Sequence, residues 1–193
     1  MRIAEMYITM LPTILGGISN MLFTKTKWYR QRRRPLDGGR LWSDGQRILG
    51  DGKTGIGLVS MVVLTLGWQL IWGLVCYQSG LAADNELYRR LPNTLTVNAL
   101  SGAGFGLAYM LFELPNSFIK RRLNIAAGAD GRKGLKILFF FVDQFDSMIG
   151  VIGLLAILAG LSWPRIILYV LVGGLTHVTV NALLIACRVR SYF

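Results

Sequence analysis

The run ILFFFVDQFDSMIGVIGLLAILAGL, residues 137–161, is apolar enough to cross a membrane, yet it carries two carboxylates, Asp143 and Asp146. A carboxylate near the middle of a bilayer costs about 2.5 to 3.5 kcal/mol, so something must compensate both charges. Three residues apart on a helix, the two side chains share one face. The run therefore predicts a membrane helix with a site for a cation.

Basic residues are dense in the sequence just before this run. Paired acids beside such a segment favour a divalent metal ion that holds a polyanion at the membrane surface. The basic residues are Lys120, Arg121, Arg122, Arg132, Lys133 and Lys136.

Composition indicates a small integral membrane protein. The chain has 193 residues, of which 53% are hydrophobic and 16% charged. Its formal charge of +11 would indicate nucleic acid in a soluble protein. Here the cations lie between apolar segments, so membrane lipids and phosphate substrates are the expected partners, and nucleic acid is not.

Five segments reach the length of about 20 mostly apolar residues that a spanning helix needs. They predict an all-α integral membrane protein with a single domain over residues 1–193. Two long loops, 24–54 and 119–136, follow the first and third helices. The predicted helices are 3–23, 55–79, 94–118, 137–161 and 163–187.

The basic residues are distributed unevenly between the two sides of the membrane. The two long loops and the C-terminal tail, with Arg188 and Arg190, lie on one side if there are five crossings. Those regions hold all 21 lysines and arginines except Arg2, Arg89, Arg90 and Arg165. This bias predicts a multi-pass protein of the plasma membrane with cytoplasmic loops and the N-terminus outside.

Several residues inside the spans are expected to serve helix packing. Gly102 and Gly106 form a small-xxx-small pair, which allows two helix backbones to approach closely. His177, the one histidine of the chain, is expected to make a polar contact between helices together with Asn181. Hydrolysis by a Ser-His-Asp set or a zinc cluster is therefore not expected. The two cysteines, Cys76 and Cys187, are also interpreted as packing residues.

The first loop, residues 24–54, is far longer than the usual 2 to 8 residues between packed helices, which favours a function for it. Its glycines flank aspartates and cations, so backbone N–H groups are able to approach an oxyanion while the cations neutralise it. The loop also leads into a helix, whose N-terminus favours anions. The pattern is clearest in residues 42–54, WSDGQRILGDGKT, whose last five residues run straight into the second helix.

The second loop begins near Pro115, which is expected to break or kink the third helix and to direct neighbouring side chains towards the loop. An acid near the end of a span usually has a partner, so Glu113 is included in the site. The cations that follow would lie at the level of the lipid headgroups. The candidate residues of this segment are Glu113, Ser117, Lys120, Arg121 and Arg122.

Phosphoryl or nucleotidyl transfer requires no nucleophile paired with a base. A phosphate monoester is already an anionic nucleophile at neutral pH, so catalysis consists of aligning it with the target phosphorus and neutralising charge. The chain supplies acids for a metal, cations for phosphates, and a membrane that holds one substrate.

Two blocks of sequence resemble a known family. Residues 117–123, SFIKRRL, and 143–147, DQFDS, are similar to the C-terminal block of membrane CTP:phosphatidate cytidylyltransferases, which has a serine, a Lys-Arg pair and a closing Asp-x-x-Asp. Residues 34–37, RPLD, and 44–54, DGQRILGDGKT, resemble the compact branch of these enzymes, the CDP-archaeol synthases. The chain is also similar to that branch in its length and its five helices.

The resemblance implies Mg²⁺-dependent transfer of CMP from CTP to a lipid phosphate, giving a CDP-lipid and pyrophosphate for phospholipid synthesis. Asp143 and Asp146 would hold the metal and would be catalytic together with Lys120 and Arg121. The lipid is left open between an archaeal-type ether lipid phosphate and phosphatidate, and a homodimer is also left open. The implied substrate-binding residues are Asp44, Arg47, Gly50, Asp51, Gly52, Lys53, Thr54, Glu113, Ser117 and Arg122.

Two alternatives belong to other classes. A CDP-alcohol phosphotransferase requires an Asp-Gly-x-x-Ala-Arg stretch, and residues 51–56, DGKTGI, lack the Ala-Arg. The other alternative is a non-enzymatic lipid-binding membrane protein, either a scaffold or a small transporter. Metal-dependent binding of CTP separates both from a cytidylyltransferase.

Overall fold

The computed structural model describes residues 2–127 and 134–186. Within those ranges the secondary structure is helical, with no strand beyond two isolated bridges in the first loop. Five helices are long and apolar enough to cross a membrane, which confirms the predicted all-α fold with five spans. They are α1 (Ile3–Thr24), α3 (Gly55–Ser79), α4 (Leu95–Arg122), α5 (Lys136–Ala159) and α6 (Trp163–Ala186), and the short helix α2 (Lys27–Arg32) follows α1.

Some residues with a predicted role lie outside the described ranges. They are Arg132, Lys133, Cys187, Arg188 and Arg190. The other cysteine, Cys76, is fully buried on α3, as expected for a packing residue.

Local sequence explains where the helices begin and end. The hydroxyl oxygens of Thr54 and Thr94 accept hydrogen bonds from backbone N–H groups three residues further on, at 3.0 and 3.3 Å, and so cap α3 and α4. Gly80 and Gly160 end α3 and α5 with φ of 75° and 66°, a left-handed conformation that glycine adopts without strain.

Helix α4 is longer than predicted because Pro115 does not end it. The third helix was predicted to end at residue 118, but α4 continues through Pro115 to Arg122, so the predicted end is wrong. Proline removes one backbone hydrogen bond, yet α4 packs along α3 and α5, and neighbouring helices commonly support a proline in a membrane span. In consequence, Ser117, Lys120 and Arg121 project from a helix rather than from a loop.

Helices α3 and α4 pack backbone to backbone through the predicted glycine pair. A Cβ atom on Gly102 would lie 2.8 Å from Cα of Leu66, and one on Gly106 would lie 2.7 Å from Cα of Val62. Only glycine fits at such distances, so the approach of the two helices depends on it. This contact fixes the start of α3 relative to the end of α4.

Apolar side chains divide between a core and a lipid-facing surface. The core joins α1, α4, α5 and α6 and includes Met6, Phe105, Ile152, Leu155 and Tyr169. Large apolar residues of α3 remain exposed, as expected for a helix that faces acyl chains; they include Val59, Val63, Ile71 and Leu74.

Candidate active site

A polar cavity of about 420 Å³ lies among α1, α3, α4, α5 and α6, at the end of the bundle that carries the long loops. Its volume falls in the range of about 300 to 1,000 Å³ that is typical of small-molecule sites. The charged residues that line it, within the described ranges, are Lys25, Lys53, Glu113, Lys120, Arg121, Asp143 and Asp146. Gly52, Thr54 and Ser117 of the predicted site also line it.

Asp143 and Asp146 face this cavity from the same side of α5. The amide nitrogen Nδ2 of Asn116, on α4, donates a hydrogen bond to each acid, at 2.6 Å from Asp143 Oδ1 and 2.7 Å from Asp146 Oδ2. The ammonium of Lys120 lies 2.6 and 2.5 Å from the two oxygens of Asp143. The end of α4 therefore supplies the charge and the donors that compensate the acids of α5.

A second ion pair connects the start of α3 with α4. Lys53 pairs with Glu113, and their side chains are only 19% and 17% exposed. Burial opposes the charge of Lys53, but the carboxylate of Glu113 and, more weakly, those of Asp146 and Asp143 outweigh it and raise the pKa of Lys53. The ammonium therefore stays charged beside the acid pair.

Tyr29 of α2 holds the start of α3 in this position. Its hydroxyl lies 2.7 Å from Oγ1 of Thr54, the residue that caps α3 directly after Lys53. Tyr29 is 6% exposed and its ring also lines the cavity. The short helix α2 thus fixes the backbone that carries the predicted Lys53-Thr54 segment.

Arg121 reaches the cavity without an ion-pair partner among the described residues. Its Nε is buried and has no hydrogen-bond partner in that part of the chain. The charged groups near it are two cations, Arg122 and Arg47, and the carboxylate of Asp51, whose attraction is weaker than the repulsion by the cations. A guanidinium in such surroundings favours a bound anion.

The first loop is ordered around Asp37, whose side chain is 1% exposed. Its carboxylate accepts hydrogen bonds from the backbone N–H groups of Gly39, Leu49 and Gly50, at 3.1, 2.9 and 2.9 Å, and from Arg47 at 2.7 Å. Burial opposes ionisation, but the bond from Arg47 and then the backbone N–H groups outweigh it and hold the pKa of Asp37 well below its usual range. The loop glycines thus cradle a carboxylate of the loop itself.

The remaining predicted substrate-binding residues do not line the cavity: Asp44, Arg47, Gly50 and Asp51 lie in the first loop, and Arg122 lies at the end of α4. Arg47 pairs with Asp37 and, at 3.0 Å, with Asp51. Arg122 pairs with Asp44 at 2.7 Å and donates to the carbonyl oxygen of Arg47 at 2.5 Å. These contacts attach the loop to the end of α4.

Gly50 lies at the contact between the first loop and Arg121. Its φ is +88°, and a Cβ atom there would lie 3.5 Å from Cδ of Arg121. The first loop therefore contacts the cavity wall through Arg121. The nucleotide contacts predicted for the loop residues stay predictions.

We expect Asp37→Asn to loosen the first loop, because the amide cannot accept all the bonds that the carboxylate accepts. Trypsin should cleave the variant after Arg33 and Arg40 at least about tenfold faster than the wild type. Since the folded-state pKa of Asp37 is lowered, its stabilisation is complete above about pH 4, the ordinary pKa of aspartate, and decreases as the pH falls further. The measurement is limited proteolysis at pH 7, followed by gel analysis of the fragments.

Asp84→Asn is the control for that experiment, because Asp84 is exposed and lies in the connection between α3 and α4. It should be cleaved at the wild-type rate. Equal cleavage of Asp37→Asn and the wild type would contradict the role assigned to Asp37.

Polar residues on α4, α5 and α6 form one side of the cavity. Tyr109 Oη lies 3.3 Å from Nε2 of His177, whose Nδ1 lies 3.1 Å from the carbonyl oxygen of Gln144. Asn181 donates to the side-chain oxygen of Gln144 at 2.8 Å. His177 and Asn181 thus make polar contacts between helices, as predicted, and both line the cavity.

Three residues of the site, Tyr29, Asp37 and Asn116, were not predicted from the sequence. Asn116 lies four residues before Lys120, a spacing that places both on one helical face, and that spacing was the available signal. For Tyr29 and Asp37 no local signal exists, because the side chains to which they bond, Thr54 and Arg47, lie ten or more positions further along the chain.

Comparisons with known proteins agree with the geometry. Residues 3–191 match the CarS-like family, described as CDP-archaeol synthase. The CDP-archaeol synthase of Methanospirillum hungatei is 35% identical over 156 residues, which cover 76% of this chain and 81% of that protein. The one from Methanosphaerula palustris is 32% identical over 163 residues, which cover 81% and 87%.

A solved structure described as an intramembrane enzyme for archaeal membrane lipid biosynthesis has the same architecture. It aligns with a TM-score of 0.62 at 26% identity, over 94% of this chain and 95% of that one. The five apolar helices and this neighbour indicate a multi-pass membrane protein. The family match over nearly the whole chain also decides against the CDP-alcohol phosphotransferase and the non-enzymatic alternatives. The chain belongs to the CDP-archaeol synthase family, and it is a membrane-embedded cytidylyltransferase.

Proposed function

We propose that this enzyme transfers CMP from CTP to an archaeal-type ether lipid phosphate, with Mg²⁺ as the metal, and releases pyrophosphate. The observation that carries the proposal is the acid pair Asp143 and Asp146 in a cavity that Lys53, Lys120 and Arg121 also line. The relatives named above are called CDP-archaeol synthases, which favours the ether lipid over phosphatidate.

The donor set fits a magnesium ion. Mg²⁺ is bound in proteins by one or two carboxylates together with water and substrate phosphates. Asp143 and Asp146 both reach one nitrogen atom of Asn116, so a cation near that point would contact an oxygen of each acid. No cluster of three His, Cys, Asp or Glu side chains offers a metal site in the described residues, so substrate phosphates would complete the coordination.

The reaction is a displacement at phosphorus. An oxygen of the lipid phosphate attacks the α-phosphorus of CTP, the bond from that phosphorus to the bridging oxygen breaks, and pyrophosphate leaves with its electron pair. A bound Mg²⁺ would neutralise charge on the triphosphate. Lys53, Lys120 and Arg121 would hold the phosphates and stabilise the charge that develops on pyrophosphate. No general base is required, because the attacking oxygen is already ionised.

The lipid has an apolar route to this cavity. A narrow groove of about 50 Å³ between α1, α5 and α6 shares five residues with the cavity wall, and its other walls are mostly apolar. Acyl or isoprenoid chains bind such surfaces through the hydrophobic effect. The groove is too small for whole lipid chains, so we propose that it holds the part of the lipid next to the phosphate, with the phosphate in the cavity and the rest of the chains in the bilayer. The shared residues are Gly17, Met21, Tyr109, His177 and Asn181.

The cavity is proposed to face the cytoplasm, where CTP is made, in the plasma membrane. The support is the placement of nearly all lysines and arginines on the side of the two long loops. CTP would then enter from the water and the lipid phosphate from the bilayer.

The test uses purified protein in detergent, CTP labelled at the α-phosphate, Mg²⁺, and an unsaturated ether lipid phosphate. We expect a labelled CDP-lipid and loss of product when EDTA removes the metal. Phosphatidate in a parallel reaction should be used at least about tenfold less efficiently. No product with either lipid would contradict the proposed reaction, and preference for phosphatidate would contradict the proposed lipid.

A further inference from the structure

Asn116 has an unusual place in the cavity. It lies on α4, is 7% exposed, and its one Nδ2 atom donates to both Asp143 and Asp146. Its carbonyl oxygen Oδ1 is buried and has no hydrogen-bond partner within the described part of the chain. A buried amide oxygen without a partner is unfavourable, so this side chain is not fully satisfied by its protein neighbours.

The amide of asparagine is able to exchange its two ends by a half-turn about χ2, with no movement of the helix. A cation held between the two carboxylates would face the N–H groups of Asn116 and repel them. The half-turn removes that repulsion and points Oδ1 at the cation. Neutral amide oxygens are good ligands for hard divalent cations.

We propose that Asn116 is a third protein ligand of the divalent metal and contributes Oδ1 beside Asp143 and Asp146. The proposal rests on the metal site described under Proposed function. Asn116 therefore has two roles: its N–H groups separate the like charges of the acids, and its oxygen replaces those N–H groups when a cation binds. The exchange needs no rearrangement of α4 or α5.

The contacts of Asn116 distinguish this proposal from a purely structural role. If the amide only bridged the acids, its N–H groups would compete with a metal for the carboxylate oxygens. Removing the amide would then strengthen metal binding. If Oδ1 is a ligand, removing the amide weakens metal binding. The two roles thus predict changes of opposite sign.

The experiment measures Mn²⁺ binding to the purified full-length protein in detergent, from the electron paramagnetic resonance signal of free Mn²⁺ and without CTP. Asn116→Leu keeps the approximate volume but has no oxygen, and we expect at least about tenfold weaker binding. Asn116→Asp keeps an oxygen in either orientation, and we expect affinity at least equal to the wild type. Asp143→Asn serves as the reference for loss of a ligand.

Asn98→Leu is the matched control, because Asn98 is a buried asparagine of the same helix, is 4% exposed, and bonds to Tyr88 and Gln69 rather than to the acids. It should bind Mn²⁺ as the wild type does. Should Asn116→Leu fail to fold, Asn116→Ala takes its place, because it also removes the oxygen: affinity equal to or above that of the wild type overturns the proposal.

The outcomes separate this inference from the proposed metal site. If Asp143→Asn weakens Mn²⁺ binding and Asn116→Leu leaves it unchanged or strengthens it, Asn116 is not a ligand and the acid pair remains the site. If Asp143→Asn has no effect, or the wild type binds no Mn²⁺, the acid pair is not the metal site and both proposals fail.

Discussion

Asp143→Asn and Asp146→Asn are each expected to reduce turnover at least about 1,000-fold, which corresponds to about 4 kcal/mol in the activation barrier. Each change preserves the shape of the side chain and removes one negative charge from the proposed metal site. Weaker metal binding would leave the triphosphate charge uncompensated at the moment of transfer. The measurement is the rate of CDP-lipid formation from labelled CTP at the lowest Mg²⁺ concentration that gives the wild type its full rate.

Both variants should remain folded, since replacing a carboxylate with an amide inside a bilayer lowers the cost of burial. Asn116 keeps one acid as acceptor in either variant, and Lys120 loses its partner only in Asp143→Asn. Elution as a single peak from size exclusion in detergent tests this point. Asp84→Asn, on an exposed residue distant from the cavity, should have the wild-type rate. If either variant has wild-type turnover, the substituted aspartate is not a catalytic residue.

Arg121→Gln is expected to raise KM for CTP by about 10- to 100-fold, the effect of one lost charged hydrogen bond of about 1.5 to 3 kcal/mol. Arg121 lines the cavity, and among described residues it has no ion-pair partner, so its charge is available to the triphosphate. Thermal stability should stay the same or increase, because the repulsion by Arg122 and Arg47 exceeds the attraction of Asp51. Steady-state kinetics and a thermal unfolding curve measure the two effects.

Arg33→Gln is the control for the loss of one positive charge at the same end of the bundle, since Arg33 is exposed and does not line the cavity. Its KM for CTP should change less than about twofold. If Arg121→Gln shows an equally small change, or loses stability together with activity, Arg121 serves the fold rather than the nucleotide.

The architecture was predictable because a bilayer imposes a length of about 20 apolar residues on each helix, and that length can be read directly from a sequence. The acid pair was predictable for the same reason: Asp143 and Asp146 stand out only against an apolar background. The end of α4 was not predictable from the sequence, because the effect of Pro115 on the helix depends on the helices that pack beside it.

The interior of the site depends on residues that are distant in sequence. Lys53 and Glu113 are sixty positions apart, and a pairing rule based on helix or strand spacing cannot join them. In the sequence, Asp37 has the features of an ordinary turn residue. Only the folded structure shows that the backbone N–H groups of Leu49 and Gly50 donate to its carboxylate. The glycine pattern of this loop is typical of phosphate-binding loops, but here the backbone N–H groups bind the carboxylate of Asp37. Such a pattern therefore predicts that an oxyanion is bound, and it does not specify whether the oxyanion is a phosphate or a carboxylate.

The glycine contact between α3 and α4 has a consequence for genetics. Gly106 lies about 10 Å along its helix from Glu113, at 1.5 Å per residue, and no reacting group touches it. A bulkier residue there would separate Lys53 from the partners that α4 carries, while the membrane would still accept the helix. In a random screen for cells that lose this lipid, substitutions at Gly102 and Gly106 would therefore resemble substitutions of catalytic residues. The protein would be present at normal abundance and inserted in the membrane, but it would have no activity.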